Sequence, residues 1–108
     1  MTNNPKILNL IHELTEKIQE LYGNQLDKVI LYGSYARGEE NKYSDIDLAI
    51  ILKGDINSFE EIDRLGDIAW DISLKYSVVI STRPISEKKY YSQNTPFLAT
   101  LKEEGITL

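Results

Sequence analysis

Leu31-Tyr-Gly-Ser-Tyr-Ala-Arg-Gly-Glu-Glu-Asn-Lys-Tyr-Ser-Asp-Ile-Asp-Leu-Ala-Ile50 is the stretch whose reading decides the fold. Val29 to Tyr32 form a short continuous apolar run, as in a buried strand. The run stops at Gly33-Ser34, and Ser34-Tyr-Ala-Arg37 can begin a helical turn. Glycine lets the backbone approach a ligand closely. Free N–H groups at a helix start favour an anion such as phosphate. The Ser34 hydroxyl adds a hydrogen bond, and Arg37, one turn along, can reach phosphate oxygens as a planar fork. By itself a Gly-Ser pair is an ordinary turn and says little. The stretch ends in a second strand, Ile46 to Leu52. Alternation puts Ile46, Leu48, Ile50 and Leu52 on one face, and Asp45, Asp47, Ala49 and Ile51 on the other.

Two carboxylates on one face of a strand repel each other. Holding both beside an apolar strand is costly unless a cation sits between them. Oxygen-only ligation, without His or Cys, suits Mg²⁺ or Mn²⁺ rather than zinc. An isolated Asp-x-Asp is more often a pair of wet surface acids. Its weight here comes from the turn that precedes it.

Working outward, Asn4-Pro5 reads as an N-cap and first helical position. Ile7, Ile11, Leu14, Ile18 and Leu21 recur at helical spacing, so a helix is expected over roughly 5–22, ended by Gly23. Lys53-Gly54-Asp55 is a turn. Ser58 with Glu61 has the form of a capping box, opening a helix that carries Ile62, Leu65, Ala69 and Ile72 to about Lys75. A third strand is expected over 77–81, with Pro84 breaking the chain. Ser86 caps a short helix over 87–91. Thr95-Pro96 opens a last helix through about Lys102, ended by Gly105. The order α-β-turn-β-α-β-α-α makes an α/β fold, a small mixed sheet with helices packed on it.

The chain has 108 residues, the length of one domain, and 42% are hydrophobic, enough for a core. The reading is one domain over 1–108. The formal net charge of −5 argues against a broad nucleic-acid footprint, which needs a basic face. With no cysteine, disulfides, thiolate catalysis and Cys-based zinc sites are excluded. No stretch approaches the roughly 18–20 apolar residues needed to span a bilayer. The N-terminus lacks a signal-peptide core, so a cytoplasmic protein is expected.

Gly33-Ser34, ten intervening residues and Asp45-Ile-Asp47 form a Gly-Ser-x10-Asp-x-Asp pattern. It is the pattern of the polymerase-β-type nucleotidyltransferases. The fuller wording, Gly-Ser-Tyr-Ala-Arg-Gly with Tyr-Ser-Asp-Ile-Asp-Leu, resembles the minimal nucleotidyltransferase (MNT) group. The resemblance is sharp over 29–52 and looser over the rest. It implies a polymerase-β-like fold, in which Gly33 and Ser34 hold the triphosphate tail of a nucleotide. Asp45 and Asp47 would then be the catalytic residues and the Mg²⁺ ligands. Arg37 is added here as a phosphate contact; a structural role, pairing with Glu39, Glu40 or Asp45, stands beside it. The resemblance further implies transfer of a nucleoside monophosphate, most simply AMP from ATP, to a hydroxyl. Stand-alone MNT proteins commonly pair with a helical HEPN-domain RNase toxin, as antitoxins that adenylylate a partner tyrosine. That makes a HEPN-domain protein the expected partner.

The family usually supplies a third carboxylate from the next strand. Here Tyr76-Ser-Val-Val-Ile-Ser-Thr82 contains no acid, and the nearest candidates are Asp71 and Glu87. Activity with two carboxylates is one reading. The rival is a nucleotide- or partner-binding module that neutralises its partner by contact. Transfer to a small molecule such as an aminoglycoside is a further reading, weakened by the lack of room for an acceptor domain. The single His12 reads as a surface residue, since one histidine makes no typical metal site. Trp70 reads as helix packing. Tyr32, Tyr35 and Tyr43 read as core or rim packing, and Lys88 to Tyr91 as a solvated helix face.

Overall fold

Asn4 starts the first helix as expected: its side chain accepts from the Lys6 N–H at 3.0 Å, with Pro5 at the first helical position. This helix, α1, spans Pro5–Tyr22 and buries Ile7, Leu10, Ile11, Leu14, Ile18 and Tyr22 along one stripe. The computed structural model describes all of residues 1–108. A short 3₁₀ turn, Gly23–Gln25, leads into β1, Leu26–Tyr32. The expected helical turn after it is α2, Ser34–Arg37, and β2 is Ile46–Leu52. Helix α3 spans Ser58–Tyr76, β3 Ile80–Ser86, α4 Glu87–Ser92 and α5 Pro96–Glu104. A two-residue strand, β4, Ile106–Thr107, ends the chain.

The four strands form one mixed sheet in the order β3-β2-β1-β4. β1 pairs antiparallel with β2, placing Tyr32 opposite Asp47. β2 and β3 are parallel, with Asp47 opposite Ser81 and Leu52 opposite Ser86. The two faces of β2 part as the alternation required. Ile46, Leu48, Ile50 and Leu52 pack into the larger core cluster with α1 and with Leu65 and Ile72 of α3. Ala49 and Ile51 join the smaller one with Ile30, Ile85, Tyr90, Leu98 and Leu101, under α4 and α5. A sheet covered on both faces has an apolar central strand, and β2 is that strand.

Several expectations need correcting. Leu21 and Ile62, read on the apolar stripes, are exposed, and Tyr90 of the expected solvated Lys88–Tyr91 face is buried in the smaller cluster. The cap of α3 is Asn57, whose side chain accepts from the N–H groups of Phe59 and Glu60 at 3.1 and 3.3 Å. Glu61 takes no part in a capping box. It is buried and accepts from the Tyr22 hydroxyl at 2.9 Å and from Arg64 at 3.2 Å. The third strand lies at 80–86 rather than 77–81, because Pro84 is accommodated within it. Proline is tolerated on an edge strand, where its missing N–H can face outward. β3 is such an edge, and the Val79 carbonyl accepts from the Ile46 N–H at 2.9 Å, so the odd-numbered positions bond inward and Pro84 turns away. β4 was not expected; two residues carry no period, and only pairing with Ile30 and Leu31 defines them. Trp70 does not pack but stands on the outer side of α3, while Ala69 and Ile72 turn inward.

Burial and the Glu61 carboxylate both hold the Tyr22 hydroxyl in its protonated, donating form, with its pKa well above the ordinary phenol value. Tyr22→Phe leaves one oxygen of a buried carboxylate without this donor. Urea unfolding should show a loss of about 1–3 kcal/mol, with Arg64 limiting the damage.

Candidate active site

The site is assembled at one end of the sheet by the antiparallel β1–β2 pair. β1 delivers the chain to Gly33 at the level where β2 carries Asp47. Gly33 has φ 78 and ψ −158, a backbone conformation open to glycine and strained for other residues. A Cβ there would collide with Oδ2 of Asp47. The glycine is thus required twice, by the turn itself and by the carboxylate that lies against it. The carbonyl of Gly33 accepts from the N–H groups of Ala36 and Arg37, at 3.1 and 3.2 Å, which starts α2. The first N–H groups of α2 have no helical partner, as at any helix start. Gly38 ends the turn in the left-handed region. Gly33, Ser34, Asp45 and Asp47, four residues singled out in the sequence, therefore meet.

Asp45 is exposed and Asp47 half-buried. The Asp47 carboxyl is pushed above its ordinary pKa, first by burial and then by the charge of Asp45; Arg37 pulls it the other way. Neither carboxylate has an ion-pair partner in the chain. The set fits a hard divalent cation. It offers oxygen donors only, an uncompensated charge on a half-buried acid, and a second acid open to solvent. No third His, Cys, Asp or Glu joins the pair.

Neither proposed third acid is placed to help. Asp71 is exposed on α3, which packs on the opposite face of the sheet from the Asp47 side chain. Glu87 follows Ser86, five residues along β3 from the Asp47–Ser81 pair, or roughly 16 Å at the rise of a strand. Beside Asp47 stands Ser81. Arg83 is the next residue on that face, which Ile85 shares. The Arg83 guanidinium lies 3.9 Å from the centre of the Phe97 ring, and Phe97 meets Tyr32 edge-on at 5.5 Å. The neighbouring Asp47 adds to burial in raising the Tyr32 hydroxyl, and Arg83 opposes it. This Arg83–Phe97–Tyr32 stack was not foreseen. Its signal was hidden by reading Pro84 as a break, which left Arg83 in a loop.

Arg37 forms ion pairs with Glu39 at 3.2 Å and with Glu104 at 3.4 Å. The first was among the structural alternatives; the second joins residues too far apart in sequence to foresee. Tyr35 is buried in the larger cluster, as read, and Tyr32 packs at the rim. Tyr43 does neither, being 80% exposed in the loop before Asp45.

A profile of the nucleotidyltransferase domain matches residues 11–104, including every residue of this site. The chain belongs to the nucleotidyltransferase domain family. A Methanocaldococcus jannaschii protein, named as a proposed protein adenylyltransferase, is 36% identical over 101 residues, covering 94% of this chain and 97% of its own. A second M. jannaschii protein with the same description is 35% identical, covering 91% and 93%. A solved structure described as a proposed minimal nucleotidyltransferase covers the whole of both chains at 19% identity with a TM-score of 0.62. A toxin–antitoxin complex with AMP-PNP aligns over 98% of this chain and 72% of its own, at 18% identity and a TM-score of 0.60. The structural likenesses establish the polymerase-β-like nucleotidyltransferase fold.

For this nucleotidyltransferase domain, the raised pKa of Asp47 has a definite sign. The folded protein holds the Asp47 proton more tightly than the unfolded chain does. Ionising the group therefore costs folding stability, and the cost sets in as pH rises from the ordinary carboxylate range through the raised value. Asp47→Asn should unfold at a higher temperature than the parent at pH 7 without metal, and the gain should vanish near pH 3. Added Mg²⁺ should raise the melting temperature of the parent and leave the variant unmoved. Thermal unfolding with and without EDTA reads both effects.

Proposed function

We propose that this nucleotidyltransferase moves AMP from ATP to a hydroxyl of a partner protein. The partner is proposed to be a HEPN-domain toxin, so that the chain acts as an antitoxin. The observation that carries the transfer is the meeting of Gly33-Ser34 with the unpaired carboxylates of Asp45 and Asp47. The adenylyl donor is supported by the two M. jannaschii relatives and their description. The partner is supported by structural neighbours described as toxin–antitoxin complexes, one of them a tri-AMPylated Shewanella oneidensis HEPN toxin with its MNT antitoxin.

In this reading the N–H groups and hydroxyl at Gly33-Ser34 hold the phosphate tail. Asp45 and Asp47 would hold Mg²⁺, which when bound would neutralise charge on the α-phosphate and the departing pyrophosphate. Arg37 can exchange its carboxylate partners for phosphate oxygens at small cost, since such exposed pairs contribute about 0–1 kcal/mol. The acceptor oxygen attacks the α-phosphorus in line, the bond to the β-phosphate oxygen breaks, and pyrophosphate leaves. With Ser81 in the position beside Asp47, the hydroxyl proton passes to solvent. Phosphoryl transfer rests mainly on position and charge stabilisation, so a dedicated base is not essential.

The same Ser81 favours one second reading, a module that binds nucleotide or partner and neutralises by contact. The two separate on a transfer assay. With α-labelled ATP, Mg²⁺ and the protein encoded beside it, label should move to that neighbour. Asp45→Asn with Asp47→Asn should lower the rate at least about a thousand-fold, the several kcal/mol a metal ion supplies. A tight complex with no label transferred would select the contact reading.

A further inference from the structure

The outer side of α3 is unusual for a chain of this charge. Trp70 is 65% exposed, Leu74 62% and Val79 61%, and Ile62 and Phe59 are open as well. These are not scattered. On α3, Phe59, Ile62, Gly66, Trp70 and Leu74 fall along one stripe at helical spacing. The stripe faces the free edge of β3, and the two enclose a groove of about 390 Å³ whose far wall is Val78, Val79, Ile80 and Thr82. Contiguous exposed apolar surface of this kind marks an interaction site.

Charge says what covers it. Along the other flank of the stripe run Glu60, Asp63, Asp67 and Asp71, all exposed. Asp63, Asp67 and Asp71 are four residues apart, so like charges sit one turn above another, which is unfavourable. None of the four is neutralised by an ion pair; Arg64 and Lys75, on the same helix, are taken by Glu61 and Glu13. A second copy of this chain would bring an identical acid row and a further net charge of −5. That occupant is repelled.

The geometry points to a partner protein's amphipathic helix as the occupant, with an apolar stripe flanked by Lys or Arg. Its apolar side chains fill the groove beside Trp70 and Leu74, as in helix-in-groove recognition, and its cations meet the Asp63–Asp67–Asp71 row. The end of the groove at Ser77–Ile80 adjoins the start of β2, where the Val79 carbonyl bonds the Ile46 N–H between Asp45 and Asp47. That end of the groove thus reaches the backbone beside the site from the α3 face of the sheet, while the Asp47 side chain lies on the other face. The inference deepens the transferase reading by assigning the surface that holds the acceptor protein, while its test reads binding alone.

Trp70 is the only tryptophan, so its emission reports on the groove directly. The probe is a synthetic helical peptide of ~18 residues, long enough to be helical when docked, with a leucine stripe flanked by lysines. Its control carries glutamates in place of the lysines. The lysine peptide should shift Trp70 emission to shorter wavelength and saturate; the glutamate peptide should not. Reversing Asp63, Asp67 and Asp71 to lysine should weaken the lysine peptide at least tenfold. The same charge change at Glu16, Glu20 and Glu103, away from the groove, should alter it less than twofold. Leu74→Lys should weaken it at an exposed position without disturbing the fold. The peptide shift should persist without Mg²⁺ and in Asp45→Asn with Asp47→Asn, so failure here is separate from failure of the transfer reading. Equal binding of both peptides, or equal loss in both triple variants, would overturn the proposal. So would a Trp70 shift on concentrating the protein alone, which would make a second copy the occupant.

Discussion

The close approach of Asp47 to Gly33 is the constraint on which the rest depends. It exists because β1 and β2 are neighbours with Tyr32 opposite Asp47, and because Gly33 has no Cβ to hold the carboxylate away. Everything else at the site follows from that register. A slip of one residue would turn Asp47 into the larger core and Leu48 out of it. The core residues therefore fix the functional geometry: Leu48, Ile50 and Leu52, all fully buried, hold the carboxylate in place.

That arrangement leaves negative charge in excess at one end of the sheet. Asp47 is half-buried, Asp45 is beside it, and Arg37, the cation that offsets them, is engaged by Glu39 and Glu104. Such a cluster lowers stability in the absence of a ligand and gains from any cation that enters. A small domain buries a limited share of its surface, so a bound metal nucleotide and a docked partner would both add to its stability.

The sequence made much of this legible, for identifiable reasons. α1 was readable to its limits because Asn4, Pro5 and Gly23 punctuate a regular apolar stripe. The two faces of β2 were readable because a central strand must be apolar on both sides, and two acids at its start break that rule. The meeting of Gly33 with Asp47 followed once the two strands were neighbours. What escaped depended on context. Pro84 signals a break in isolation, and only the edge position of β3 makes it tolerable; Ser81 falls within the strand expected over 77–81, but Arg83, beyond its expected end, is hidden. Asn57 and Ser58 are both good caps, and the choice between them rests on Glu61, drawn inward by Tyr22 from α1. Trp70 was assigned to the core by its chemistry; its helical phase, opposite Leu65 and Ile72, puts it outside.

The central claim is that Asp45 and Asp47 share one divalent cation facing the Gly33-Ser34 turn. Crystals soaked with Mn²⁺ and a non-hydrolysable ATP analogue, measured for the anomalous signal of manganese, test it most directly. Manganese is expected at the two carboxylates, with the phosphate tail lying on Gly33 and Ser34. Manganese elsewhere, or phosphates bound away from that turn, would contradict it.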